Sequence, residues 1–206
     1  MDFDYQRHVF KYPNLTAILG EAIEFFSKLP VHSLPPPYQF RDPGVYGLYY
    51  IGNFALYTSI ASSTCDKLIY VGKAVPSGKR TGRSLGGISS NLIGRLQEHA
   101  ISIQATSNLK LEDFRCRFMI LERDEPEVDL IEPVESKLIK TYLPLWNVCV
   151  AGFGIHTPGK GRFNQQPSEW DTLHPGRAWL GNLTGKQRDL QQIEAKIRKF
   201  LAALPT

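Results

Sequence analysis

Residues 44–53 read GVYGLYYIGN and residues 68–74 read LIYVGKA. Both runs are rich in aromatic and β-branched residues and both are bounded by turn formers, so they predict strands, and a sheet must organise the fold. The connection NFALYTSIASSTCD is too long for a tight hairpin turn. Each run sets tyrosine beside glycine, and the first contains YYIG as well. Neighbouring strand residues point to opposite faces, so Tyr49 and Tyr50 cannot both enter one site.

Two predicted helices carry polar residues where apolar ones belong. In SSNLIGRLQEHAISIQ, with Ser89 or Ser90 as N-cap, the stripe at about 100° per residue is Leu92, Ile93, Leu96, Ala100 and Ile103. His99 falls beside that stripe, and Arg95, four residues earlier, is its neighbour on the same flank. A second helix is expected to begin near Pro133, a favoured first helical position, with Val134, Leu138, Ile139 and Tyr142 on its stripe. Glu135 projects into the middle of that stripe, and a carboxylate there is expensive unless paired or bound to a metal. Between the two helices, DFRCRFMIL alternates as a third strand. Upstream, LTAILGEAIEFFSKL (15–29) has helical spacing and ends at the proline-rich PVHSLPPPYQF, which forbids helix. At the other end, Leu190, Ile193, Ile197 and Leu201 form one stripe that reads as core packing.

Charge is segregated along the chain. The net charge is only +4, but Lys67 to Gln97 holds six basic residues and no acid, and Ser136 to Ser168 holds four and no acid. Glu122 to Glu135, between them, holds seven acids and one arginine. Separation of this kind suggests a positive surface for a polyanion. No apolar run approaches the roughly 20 residues of a membrane span. Cys65, Cys116 and Cys149 are scattered and lack metal-ligand spacing, which argues against a disulfide framework or a zinc site. The expectation is a reduced, cytoplasmic protein with no membrane partner.

Taken in order, these residues resemble the GIY-YIG nuclease family, whose pattern is a Gly-Ile-Tyr strand, a Tyr-Ile-Gly strand, a helix with Arg then His, a later Glu and an Asn soon after. The stations here are Gly47-Leu48-Tyr49, Tyr70-Val71-Gly72, Arg95 with His99, Glu135, and Asn147 in PLWN. The resemblance implies a mixed α/β fold of the α+β kind, a small, mainly antiparallel sheet flanked by helices. Around the core at 44–150, with a recognition loop at 74–90, lie an N-terminal helix and arm (1–43) and a C-terminal DNA-contacting loop and helix (151–206) within the same domain. On this reading Tyr49 stands beside Tyr70 on one sheet face and acts as general base, and Tyr50-Ile51-Gly52 is a decoy. His99 accepts the proton from Tyr49, Arg95 pairs with phosphate charge, Tyr70 and Asn147 position phosphate or water, and Glu135 holds one Mg²⁺ per active site.

The arm, VHSLPPP, YVGKAVP and GFGIHTPGKGRF make the chain similar to GIY-YIG type II restriction endonucleases that recognise CCGCGG. That subgroup implies double-stranded DNA as substrate, a homodimer to match a palindrome, and a methyltransferase in the same system. Arg and Lys pair with guanine edges and with phosphates, so Lys79, Arg80, Arg83, Lys160, Arg162 and Arg177 are candidates for either contact, Lys73 for a phosphate contact, and His156 and Asn164 are weaker. The competing readings are a structure-specific repair nuclease and an inactive DNA-binding protein on the same fold.

Overall fold

Strand propensity and the turn formers around it give the sheet the sequence predicts. The computed structural model describes residues 8–9, 14–40, 42–75, 91–121, 130–155 and 157–204. Among these, β1 (His32–Ser33), β2 (Gly44–Tyr50), β3 (Leu68–Ala74) and β4 (Phe114–Ile120) form one sheet in the order β1-β4-β2-β3, with every neighbouring pair antiparallel. The fold is α+β. β2 is one of two inner strands and is buried along its whole length, because helices cover both faces of the sheet.

One face is covered by α1 (Leu15–Lys28) and α3 (Ile131–Tyr142), whose Phe26, Ile131, Val134 and Leu138 pack with Val45, Tyr49, Leu68 and Val71. The other is covered by α2 (Leu92–Gln104) together with α4 (Leu145–Val148), α5 (Glu169–Leu173) and α6 (Leu190–Ala202). The stripe Leu92, Ile93, Leu96, Ala100 and Ile103 is fully buried, as its periodicity requires. Ile193 and Ile197 of α6 join the same core, whereas Leu190 is exposed. Two helix starts differ from expectation. α2 is capped by Asn91, whose Oδ1 accepts the Gly94 N–H at 2.5 Å, while Ser89 and Ser90 lie outside the described residues. α3 begins at Ile131, two residues before Pro133. A proline there is harmless, since first-turn N–H groups have no partner inside a helix.

The C-terminal segment packs on the core through aromatic rings. Trp170 of α5 meets Trp146 of α4 edge-on at 5.6 Å, and Phe153 packs against both at 4.4 Å from Trp146 and 5.1 Å from Trp170. Beneath them the Trp146 Nε1–H donates to Tyr57 Oη at 3.0 Å, and Tyr57 is 2.5 Å from His174 Nε2. His174 Nδ1 lies 2.9 Å from Asn108 Oδ1, and the Asn108 amide N–H donates to the Leu173 carbonyl. One set of donors satisfies the whole chain: Tyr57 donates to Nε2 and Nδ1–H donates to Asn108, so His174 is neutral.

Burial pushes the His174 pKa down to about 3. Its unfolded value is about 6.5, so the native state resists a proton that the unfolded state takes up. Stability from this residue is complete above about pH 6.5 and erodes as the pH falls towards 3, by up to about 1.4 kcal/mol per pH unit. Urea denaturation between pH 7 and pH 4 is expected to show this slope, and His174→Gln to flatten it.

Candidate active site

Strand parity decides which tyrosine faces which helix. Tyr46, Leu48 and Tyr50 point to the α2 side, and Val45 and Tyr49 to the α1–α3 side. In the β2–β3 register Tyr46 lies opposite Gly72 and Leu48 opposite Tyr70. Diagonal neighbours on one face are within reach of long aromatic side chains, and the Tyr46 and Tyr70 rings have centroids 6.3 Å apart. The Tyr46 phenol crosses over Gly72 towards the sheet edge: a Cβ built on Gly72 would lie 2.4 Å from Tyr46 Oη. The glycine of Tyr70-Val71-Gly72 therefore leaves room for the tyrosine of the other motif.

The expected pairing of Tyr49 with Tyr70 is thus corrected. Tyr49 is three residues from Tyr46 and so on the opposite face, where it accepts a hydrogen bond from Arg117 Nη1 at 2.9 Å. The motif tyrosine that meets Tyr70 is Tyr46, in Gly44-Val45-Tyr46. Two Gly-x-Tyr triplets follow one another in GVYGLYY, and the first also carries a β-branched residue in the middle place. That signal, with strand parity, distinguishes them. Tyr50 is no part of the site: it packs on Phe114 and Tyr57, and its Oη accepts the Phe54 N–H.

Around Tyr46 the predicted groups converge. Its Oη is 2.6 Å from His99 Nε2, and His99, on α2, is buried with its ring edge-on to Tyr70 at 5.2 Å. Arg95, one turn earlier, lies beside Tyr46, pairs with Glu98 at 2.5 Å and donates from Nη2 to the Gly154 carbonyl at 3.4 Å. On α3, Glu135 is 2.8 Å from the Lys73 ammonium, which also meets Glu132 at 3.3 Å. Lys73 therefore sits in this charged cluster, at the edge strand β3. Burial raises the Tyr46 pKa far above its usual value, with Arg95 opposing the rise. Tyr70 is pushed up to about 12, mainly by burial, with Arg95 again opposing and the Glu135 carboxylate adding to the rise. Both hydroxyls are therefore protonated at rest.

Asn147 was expected to hold phosphate or water, but both ends of its amide are committed. Its Oδ1 accepts the Val71 N–H at 2.7 Å and its Nδ2 donates to the Val71 carbonyl at 2.8 Å. β3 is an edge strand, and the amide satisfies groups that a fifth strand would otherwise bond. Asn147 thus fixes the strand carrying Tyr70 and Lys73.

Arg177 is also corrected. It is buried, 6% exposed, so it is no DNA-reading side chain. Its Nε and Nη2 each bond the Asp171 carboxylate at 2.6 Å, and its guanidinium lies 4.8 Å from both the Trp170 and Trp179 rings. Arg162 and Asn164 are exposed, Arg162 on the short turn Lys160–Arg162. The side chain of Lys160, and Lys79, Arg80, Arg83 and His156, lie outside the described residues.

A family model described as the Eco29kI GIY-YIG domain matches residues 38–201. The chain belongs to this family. The GIY-YIG restriction endonuclease family comprises restriction-type nucleases acting on DNA, and GIY-YIG nucleases generally use divalent metal ions. No curated protein gives a significant match to the chain. For a hard divalent ion the oxygen donors at hand are Glu135 and, across Lys73, Glu132. Among the described residues no group of three or more His, Cys, Asp or Glu forms a protein cage. One or two carboxylates completed by phosphate oxygens and water is the usual Mg²⁺ arrangement, so the donor set fits. Among the described residues no helix is long and apolar enough to cross a membrane.

Proposed function

We propose that this GIY-YIG domain is a type II restriction endonuclease that hydrolyses both strands of a GC-rich palindrome, CCGCGG, with Mg²⁺ as cofactor. The observation that carries this reading is the Tyr46–His99 hydrogen bond, set beside Tyr70, Arg95 and Glu135 at one sheet edge. A tyrosine held protonated by burial is a poor base alone, and here its proton has a place to go. As water attacks phosphorus, its proton passes to Tyr46 Oη while the Tyr46 proton passes to His99 Nε2. The new P–O bond forms as the P–O3′ bond breaks, and the leaving oxygen is protonated from solvent. Arg95, beside Tyr46, stabilises charge on the phosphoryl oxygens, a task suited to a planar guanidinium. Glu135 would hold the metal, with Lys73 moving from the carboxylate towards a phosphate. Bound there, Mg²⁺ supplies Lewis-acid neutralisation of the charge building on the phosphoryl group and leaving oxygen.

A palindrome cut on both strands calls for a homodimer. The contacts that read it are proposed to come from Lys79, Arg80, Arg83, Lys160 and Arg162, and the host's own sites to be protected by a methyltransferase in a cytoplasmic restriction system.

The test is plasmid digestion. Mg²⁺ with a plasmid carrying CCGCGG should give discrete fragments, and EDTA, or a plasmid lacking the site, should leave the DNA intact. Cleavage only of branched or damaged DNA would replace this reading with that of a repair nuclease, and binding without cleavage would make the fold a DNA-binding scaffold.

A further inference from the structure

The segment Gly152–Ile155 belongs to the C-terminal tail, yet it forms a wall of the candidate site. Phe153 stacks on the His99 ring with centroids 4.6 Å apart and planes 22° apart, and its edge meets Tyr70 at 4.8 Å. Gly154 follows with φ +76°, in the left-handed region that favours glycine. A Cβ built there would lie 2.8 Å from Tyr70 Oη and 3.2 Å from His99 Cε1, so any larger residue would press on both groups. The Gly154 carbonyl accepts from Arg95. Three of the proposed catalytic side chains thus touch two consecutive tail residues.

Both ends of this segment are held by one guanidinium. Arg177 donates from Nη2 to the Gly152 carbonyl at 3.1 Å and from Nη1 to the Ile155 carbonyl at 3.3 Å, while Asp171 and the two tryptophans fix the guanidinium itself. An aromatic plane against an imidazole restricts its rotation, and a fixed ring keeps Nε2 aimed at the Tyr46 hydroxyl. We infer that Phe153 and Gly154, clamped by Arg177, are positioning residues that hold His99 and Tyr70 in the geometry for proton transfer. The tail is then part of the catalytic apparatus as well as a DNA-contacting extension. This inference rests on the catalytic reading above.

The experiment has a readout on DNA-free protein. Histidine is labelled with ¹⁵N, and the His99 ring nitrogens are identified by their loss in His99→Gln. Phe153→Leu, which keeps apolar volume without the ring, should move the His99 signals towards those of an imidazole exchanging between tautomers. In the same variant single-turnover cleavage should fall roughly 10- to 100-fold with DNA affinity nearly unchanged, because small misplacements near the chemistry cost rate rather than binding. Gly154→Ala should do the same, and in a Tyr70→Phe background it should move the His99 signals less, since the hydroxyl it collides with is gone. Unchanged His99 signals in folded Phe153→Leu protein, or a loss confined to DNA affinity, would overturn the inference. Wild-type protein that cuts no DNA would instead defeat the nuclease reading, and the ring-nitrogen shifts would then decide the positioning by themselves. Should Gly154→Ala fail to fold, Phe153→Leu decides.

Discussion

Tyr46→Phe is expected to lower single-turnover DNA cleavage by roughly 10²–10⁴-fold, the range for loss of a general acid–base group, with little change in DNA affinity. Tyr49→Phe is expected to leave cleavage within about threefold, less than the tenfold that 1.4 kcal/mol of lost transition-state stabilisation produces. The two residues are three apart in one strand, both are buried and both are tyrosines, so composition cannot separate them. Their partners do. Tyr46 is hydrogen-bonded to His99 and stands beside Arg95, whereas Tyr49 meets Arg117 on the face covered by α1 and α3. Tyr49→Phe is therefore expected to cost stability, by about 1.5–3 kcal/mol for a hydrogen bond to a charged donor, and no chemistry. Parallel cleavage assays and thermal melts of the two variants check both halves. The reverse pattern, with Tyr49→Phe inactive and Tyr46→Phe active, would sink the proposed proton path.

The sheet and its helices were legible because each rests on a local rule. Tyr-rich, β-branched runs ended by turn formers became β2 and β3, and an apolar stripe at helical spacing became α2 with every stripe residue buried. Arg95, His99 and Glu135 stood out by being polar beside those stripes, and the structure brings all three to the cluster around Tyr46. The choice of tyrosine was not legible from motif order alone, because GVYGLYY offers two Gly-x-Tyr frames. Register resolves it: Tyr46 lies opposite Gly72, and only a glycine there lets the phenol pass.

The roles of Asn147 and Arg177 depend on contacts between residues far apart in the chain. Asn147 is 76 positions from the strand it holds, and an asparagine in a helix carries no mark of a backbone partner. Arg177 lies in a tail whose basic residues invite a DNA reading. Its signature was instead the aromatic company in EWDTLHPGRAW, where two tryptophans and an aspartate surround one arginine within eleven residues. Such a grouping is costly to expose and cheap to bury once the charges pair. Phe153 and Gly154 were visible only as part of a glycine-rich stretch, and their contact with His99 needs the tail to fold back across α2.

Asp171→Ala is expected to destabilise the protein by about 3–5 kcal/mol, the usual cost of leaving one member of a buried ion pair without its partner. For a chain of this length that corresponds to a fall of roughly 6–20 °C in melting temperature. Both members are almost fully enclosed, and the Asp171 carboxylate bonds the guanidinium through both oxygens at 2.6 Å. Without it, the Arg177 charge would remain between two tryptophan rings with only the Gly152 and Ile155 carbonyls to neutralise it. The double variant Asp171→Ala with Arg177→Met should recover part of the loss, because no unpaired charge is then buried. That partial recovery in thermal or urea denaturation identifies the penalty as one of desolvation. A double variant no more stable than Asp171→Ala alone would mean that the clamp acts through the two carbonyls it holds rather than through charge. In either case a clamp so deeply enclosed has no route to a DNA groove, and on the proposed reading it acts on cleavage through Phe153 and Gly154, which meet His99.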